Sequence, residues 1–126
     1  MQLVSAQDPL PAGALQFAND EDVLARADDV RQAPVVVLNF PKWTDGRAYS
    51  QAVLLRGRLR YAGEIRAVGD VVVDMLPLLK RCGFDSALLR ADQNPAFADK
   101  TLGFFPAGHY QGDVTGARPV FARPGA

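Results

Sequence analysis

VVVLNFPKWTDGRAYSQAVLL, residues 35–55, changes its periodicity half-way along. Residues 35–40 form a short apolar run rich in β-branched side chains, the pattern of a buried strand. Further on, Ala48, Ala52, Leu55 and Leu59 follow at spacings of four, three and four, which is one face of a helix. Between the two lies PKWTDGR, where Thr44 or Asp45 can cap the helix. A strand that feeds a helix through a short polar turn opens a βαβ unit, and such a unit joins parallel strands.

The same alternation continues on either side. After Gly63, EIRAV (64–68) reads as a second strand. Asp70 then caps a third helix that buries Val72, Met75, Leu76 and Leu79. Lys80 and Arg81 suit the negative end of that helix, and Gly83 suits a left-handed residue after it. Pro77 inside the pattern predicts a kink. Residues 84–90 give a third strand. Asn94 and Pro95 start a fourth helix, with Phe97 and Leu102 facing inward and Gly103 at its end. A last short strand falls near His109–Gln111. Upstream, Asn19 or Asp20 caps a first helix with Glu21 and Asp22 in its first turn and Val23, Leu24, Ala27 and Val30 on its apolar stripe. In that helix 2 pattern, Arg47, Gln51, Leu54 and Arg58 occupy the side away from the core.

The expected fold is therefore α/β and a single domain. Three to four mainly parallel strands are joined by right-handed crossover helices into an open or partial-barrel-like sheet. Residues 1–18 read as an extended arm with one short strand, 19–111 as the α/β core and 112–126 as an extended tail. The arm or a second subunit, in a homodimer, is expected to cover a sheet edge.

Composition bounds the chemistry. The chain has 126 residues, 48% of them hydrophobic, and no net charge, so no global field draws it to nucleic acid or to an anionic membrane. The charges are nevertheless sorted. Residues 1–41 carry Arg26 and Arg31 against six carboxylates; residues 42–66 carry Lys42, Arg47, Arg56, Arg58, Arg60 and Arg66 against Asp45 and Glu64. The Arg56, Arg58, Arg60 series reads as a solvated helix end or a docking surface. Cys82 is the single cysteine, which rules out an internal disulfide and a cysteine-based metal cluster. The sequence has no apolar run long enough to span a membrane and no signal-peptide pattern at its start, so a cytoplasmic location is expected. It has no Gly-x-Gly-x-x-Gly fingerprint, no Walker loop and no Gly-x-Ser-x-Gly elbow, and its one histidine is His109.

In open parallel sheets, ligands bind outside the carboxyl ends of the strands. That rule gathers the polar junctions after all three strands on one edge. The candidate site residues are Lys42, Trp43, Asp45, Arg47, Tyr49, Arg66, Asp70 and Asp92. Helix N-termini with Lys42, Arg47 and Arg66 suit a small oxyanion, and Trp43 and Tyr49 suit the walls of a pocket. Asp45, Asp70 and Asp92 act as helix caps or pair with the arginines. In a catalytic version of this site, Arg47 and Arg66 hold substrate and Tyr49 or Asp45 handles protons. No metal ligands cluster, and no cofactor is identified from these residues.

The runs NFPKWTDGRAYSQAVLLRGRL, YAGEIRAVGDVVVD and LKRCGFDSALLR resemble a bacterial family designated domain of unknown function 934. The likeness covers about residues 35–90, with a fainter echo at YQ (110–111) and RPVF (118–121). It implies a link to assimilatory sulfite reduction, because members are encoded beside sulfite reductase and carry the label of probable oxidoreductase. No residue roles come with it. Three expectations follow. The first is an accessory protein of sulfite reduction that binds an oxyanion or docks to sulfite reductase. The second is an oxidoreductase with a cofactor of unrecognised type. The third is a structural or regulatory module that oligomerises through the polar edge.

Overall fold

A computed structural model describes residues 1–97. The expected strand is Val35–Phe40, here β3, and the expected second strand is Glu64–Gly69, here β4. They pair in parallel along their full length, from Val35 opposite Glu64 to Phe40 opposite Gly69. The residues 1–18, expected as an arm with one strand, supply two: β1 (Gln2–Leu3) and β2 (Leu15–Phe17). They close opposite edges. β1 pairs with β5 (Ser86–Ala87), and β2 pairs with β3. The sheet therefore has five strands in the order β1-β5-β4-β3-β2, all parallel. The extra strands escape a periodicity reading because two or three residues cannot display a period.

Three helices fill the crossovers: α1 (Ala27–Gln32), α2 (Arg47–Gly57) and α3 (Leu76–Cys82). They pack on the sheet face that carries Val36, Leu38 and Phe40 of β3 with Ile65 and Ala67 of β4, and one continuous core results. Alternation puts Val35, Val37, Arg66 and Ser86 on the other face. Val35 and Val37 are buried there as well, so β3 is covered on both sides, as its unbroken apolar run requires.

Several local expectations change. The first helix does not begin at Asn19 or Asp20. Gln51 Nε2 donates to the carbonyls of Ala18 and Glu21 at 2.9 and 3.0 Å, which holds that segment in a turn. Helical structure starts only with a 3₁₀ turn at Val23–Arg26, where Asp22 Oδ1 accepts from Leu24 N. Gln51 itself, expected away from the core, is buried. Pro77 does not kink α3, because a preceding 3₁₀ turn at Val73–Met75 moves the start of the helix to Leu76. Proline then stands in the first turn, where its missing N–H is of no consequence. Gly83 has φ +108° and ends α3 as expected.

The third strand is shorter than 84–90. Its backbone still follows β4, with Asp85 N donating to Ile65 O and Leu88 N to Ala67 O. Arg56, placed by its spacing on a solvated helix end, is instead a buried clamp, while Arg58 and Arg60 are exposed. Asn94 Oδ1 caps the turn that follows it by accepting from Ala96 N, but Phe97, expected to face inward, is exposed. An apolar residue in a helical pattern does not by itself say whether that helix docks. Leu102, Gly103, the strand near His109–Gln111 and the tail 112–126 lie outside the described residues. Among the described residues, no helix is long and apolar enough to cross a membrane.

Candidate functional site

Parallel pairing brings the turns after all five strands to one edge, and each of the inner turns is fixed by a carboxylate. After β3, Pro41 lacks the N–H a strand would continue with. Asp45 N donates to Lys42 O, and Asp45 Oδ1 accepts from Arg47 N at 3.1 Å, which starts α2. The same carboxylate holds the Arg47 guanidinium with two bonds, 3.1 Å to Nε and 2.8 Å to Nη2. Those bonds press the Asp45 carboxyl far below the usual range and raise Arg47.

β4 ends against its neighbour. Gly69 has φ +98°, and a Cβ there would lie 2.5 Å from Phe40 O and from Asn39 Oδ1. This close finish lets Asp70 N donate to Phe40 O at 2.7 Å. Asp70 was expected to cap the third helix, and it does not. Its Oδ2 accepts from Trp43 N at 2.8 Å and its Oδ1 from Arg90 Nη1 at 2.7 Å. One side chain thus joins the turns after β3, β4 and β5. The other edge of the Arg90 guanidinium binds Asp92, at 2.6 and 2.8 Å. Arg90 lowers the pKa of Asp70, helped by the Trp43 N–H, and that of Asp92; the two carboxylates in turn raise Arg90. Gln93 Oε1 accepts from Val73 N at 2.9 Å and ties the β5 turn to the start of the 3₁₀ segment.

Beside this frame opens a cleft of about 470 Å³, walled by Trp43, Tyr49, Val72, Met75 and Leu78 and edged by Asp74, Arg90 and Gln93. Trp43 is 55% exposed and Leu78 43%. Tyr49 is held edge-on to Phe40 with ring centroids 5.0 Å apart, and burial raises its pKa. A second, wider hollow of about 840 Å³ lies on the β1 side, between Leu3–Ala6 and Leu88–Ala91; Arg90 and Gln93 border both.

Of the residues singled out from sequence, Trp43 and Tyr49 meet in the cleft, and Asp70 and Asp92 meet on Arg90. Asp45 and Arg47 pair with each other next to it, and Lys42 stands exposed on the same turn. Arg66 is apart from them. It sits opposite Val37 in mid-strand, on the sheet face away from the helices, where Glu64 Oε2 accepts from its Nε and Nη2 and from Ser86 Oγ. A count of residues from the strand end would have placed it there: β4 runs three residues past Arg66. Arg90, Gln93, Asp74 and Leu78 were not among the candidates. Arg90 was legible as the last residue before the β5 turn, and Leu78 as the outer position between Leu76 and Leu79.

The charge at this edge is acidic. Asp20, Glu21 and Asp22 follow β2, Asp45 follows β3, Asp70 and Asp74 follow β4, and Asp92 follows β5, against Lys42, Arg47 and Arg90. The opposite edge carries Arg31, Arg56, Arg58, Arg60, Lys80 and Arg81 towards the ends of the helices, against Asp28, Glu64 and Asp85. Among the described residues, acidic side chains prevail at the carboxyl edge and basic ones at the other. Among the described residues, no three metal-binding side chains converge.

A family model described as "Bacterial protein of unknown function (DUF934)" matches residues 14–121. No curated protein and no solved structure matches the chain.

Proposed function

Since the chain belongs to the DUF934 family of bacterial proteins of unknown function, we propose that it is an accessory protein of assimilatory sulfite reduction that docks on sulfite reductase through the carboxyl edge of its sheet. The observation that carries this reading is the cleft itself, whose lining includes a half-exposed tryptophan and a half-exposed leucine. Exposed tryptophan in a shaped apolar recess is the typical anchor of a protein interface. The frame beneath is stiff: Asp70 and Arg90 cross-link three turns, so the walls are set before a partner arrives, and little ordering is required on binding.

Docking is better supported than capture of a small oxyanion. An oxyanion needs guanidinium donors that are free, yet Arg47 is engaged by Asp45, and Arg90 by Asp70 and Asp92. Arg66 is engaged by Glu64 and lies on another face. The N-terminus of α2, the natural anion site, already has the Asp45 carboxylate.

The test is capture of the chain by immobilised sulfite reductase, repeated with Trp43→Ala and Leu78→Asp. Wild type is retained, and each variant loses roughly tenfold or more in affinity. Equal retention of both variants, or no retention of the wild type, overturns the proposal.

A further inference from the structure

The cleft is apolar at its walls and acidic at its rim, and that combination selects a partner chemistry. Three observations bear on it. Asp74 edges the cleft, is exposed, and has no hydrogen bond or ion pair among the described residues. Arg90, which borders the cleft, is engaged by Asp70 and Asp92, and Arg47 by Asp45, which leaves Lys42 as the exposed cation of the Trp43 turn. Asp20, Glu21 and Asp22 follow β2 on the same edge of the sheet, where carboxylates outnumber cations although the chain is neutral.

The geometry points to a basic segment of the partner protein as the occupant of this cleft, with an arginine or lysine reaching between Trp43 and Asp74. The aliphatic stem of such a side chain fits the apolar wall of Met75 and Leu78. Its charged head meets the electron-rich face of an exposed indole and an unengaged carboxylate together. Leucine or another apolar residue beside it fills the remainder of the recess. This rests on the docking reading above and adds the sign of the charge, which is the reverse of what a count of arginines in PKWTDGR suggests.

Trp43 is the single tryptophan of the chain, so its emission reports on the cleft directly. The folded chain is titrated with a short peptide of alternating leucine and arginine, acetylated and amidated, and with the same peptide carrying glutamate for arginine. The arginine peptide shifts the Trp43 emission in a saturable way and the glutamate peptide does not. Binding weakens as sodium chloride is raised, as for any exposed charge pairing. Asp74→Asn weakens it roughly three- to fivefold. Asp74→Lys reverses the preference and binds the glutamate peptide, which a merely unfolded variant cannot do. Equal binding of both peptides, or an unchanged preference in Asp74→Lys, overturns the inference.

Sulfite reductase capture separates this from the docking reading. Capture lost in Trp43→Ala but intact in Asp74→Lys keeps docking and removes the basic segment. Peptide binding without capture keeps the cleft chemistry and removes that partner. Self-association abolished by Asp74→Lys assigns the cleft to the basic edge of a second copy and overturns a separate partner.

Discussion

The molecule ties an arginine down at each end of its sheet, and the two ties differ in what they are made of. At the amino edge, Arg56 Nε and Nη2 donate to Gly83 O, and Nη1 donates to Tyr61 O and Gly63 O at 2.7 and 2.8 Å. Nη2 also binds Asp85 Oδ2 at 2.6 Å, and the side chain is only 4% exposed. At the carboxyl edge, Arg90 is held by two carboxylates and its side chain is 39% exposed. Backbone carbonyls belong to the fold and cannot be exchanged for a ligand. Carboxylates at a wet surface hold a guanidinium less firmly than buried carbonyls do, because water and salt screen the pair. The first arginine therefore fastens the fold, while the second shapes a surface.

The strongest way to break this contrast is at Arg56. Arg56→Met removes the guanidinium donor from the carbonyls of Tyr61, Gly63 and Gly83, most of them out of reach of water, and takes the ion-pair partner from Asp85, which keeps its bond from Ile65 N. A loss of about 3–5 kcal/mol is expected in urea unfolding. A loss near zero would mean that the amino edge is no more than a surface pair.

Gly69→Ala comes next. It combines a left-handed backbone with a Cβ set against Phe40 O, and a cost of about 1–3 kcal/mol is expected. Unlike Arg56→Met it also moves Asp70, so Trp43 emission should change at native conditions. Unaltered emission would show that the cleft does not depend on how β4 ends.

A smaller effect is read with base. Tyr61 is buried, donates its hydroxyl to Ala33 O at 2.8 Å, and has its pKa pushed up to about 12, chiefly by burial. A pKa raised on folding favours the neutral phenol in the native state. That contribution is whole below the unfolded value near 10 and is lost as the pH rises through about 12. Tyr61→Phe should flatten stability between those limits, measured as the urea midpoint against pH. An identical alkaline slope in the variant would clear Tyr61 of the effect.

The same contrast explains what was legible in the sequence. β3, α2 and β4 were plain, because an apolar run and a helical stripe each repeat often enough to be recognised. Trp43, Tyr49, Asp70 and Asp92 were found by direction alone: parallel strands must turn at a common edge. Arg56 was hidden, because its partners are carbonyls of Tyr61, Gly63 and Gly83, and a carbonyl has no letter in a sequence. The sign of the edge was hidden for a related reason. Lys42, Arg47 and Arg66 look like an anion site until Arg47 is seen folded onto Asp45 and Arg66 onto Glu64. Pairing across two residues in sequence was readable in principle, but only once each side chain's face was known.

The least disruptive substitution, Asp92→Asn, sharpens the comparison most finely. Asp92 is well exposed, and its lowered pKa comes mainly from the hydrogen bonds of Arg90. A carboxylate with a lowered native pKa contributes above its unfolded value near 3.9 and loses that contribution as the pH falls through the native one. At an exposed site the contribution is slight, so at neutral pH the urea midpoint of Asp92→Asn should match that of the wild type. The guanidinium edge of Arg90 that it releases is a different matter. In the variant that edge becomes available, and the local field loses one negative charge, so the arginine peptide should bind less well and a glutamate peptide better. Asp70→Asn should do more than this, since Asp70 also holds Trp43 N and so fixes the wall of the cleft. If Asp92→Asn instead unfolded the protein at a much lower urea concentration, Arg90 would be a fastening like Arg56, and the carboxyl edge would have to be read as part of the scaffold.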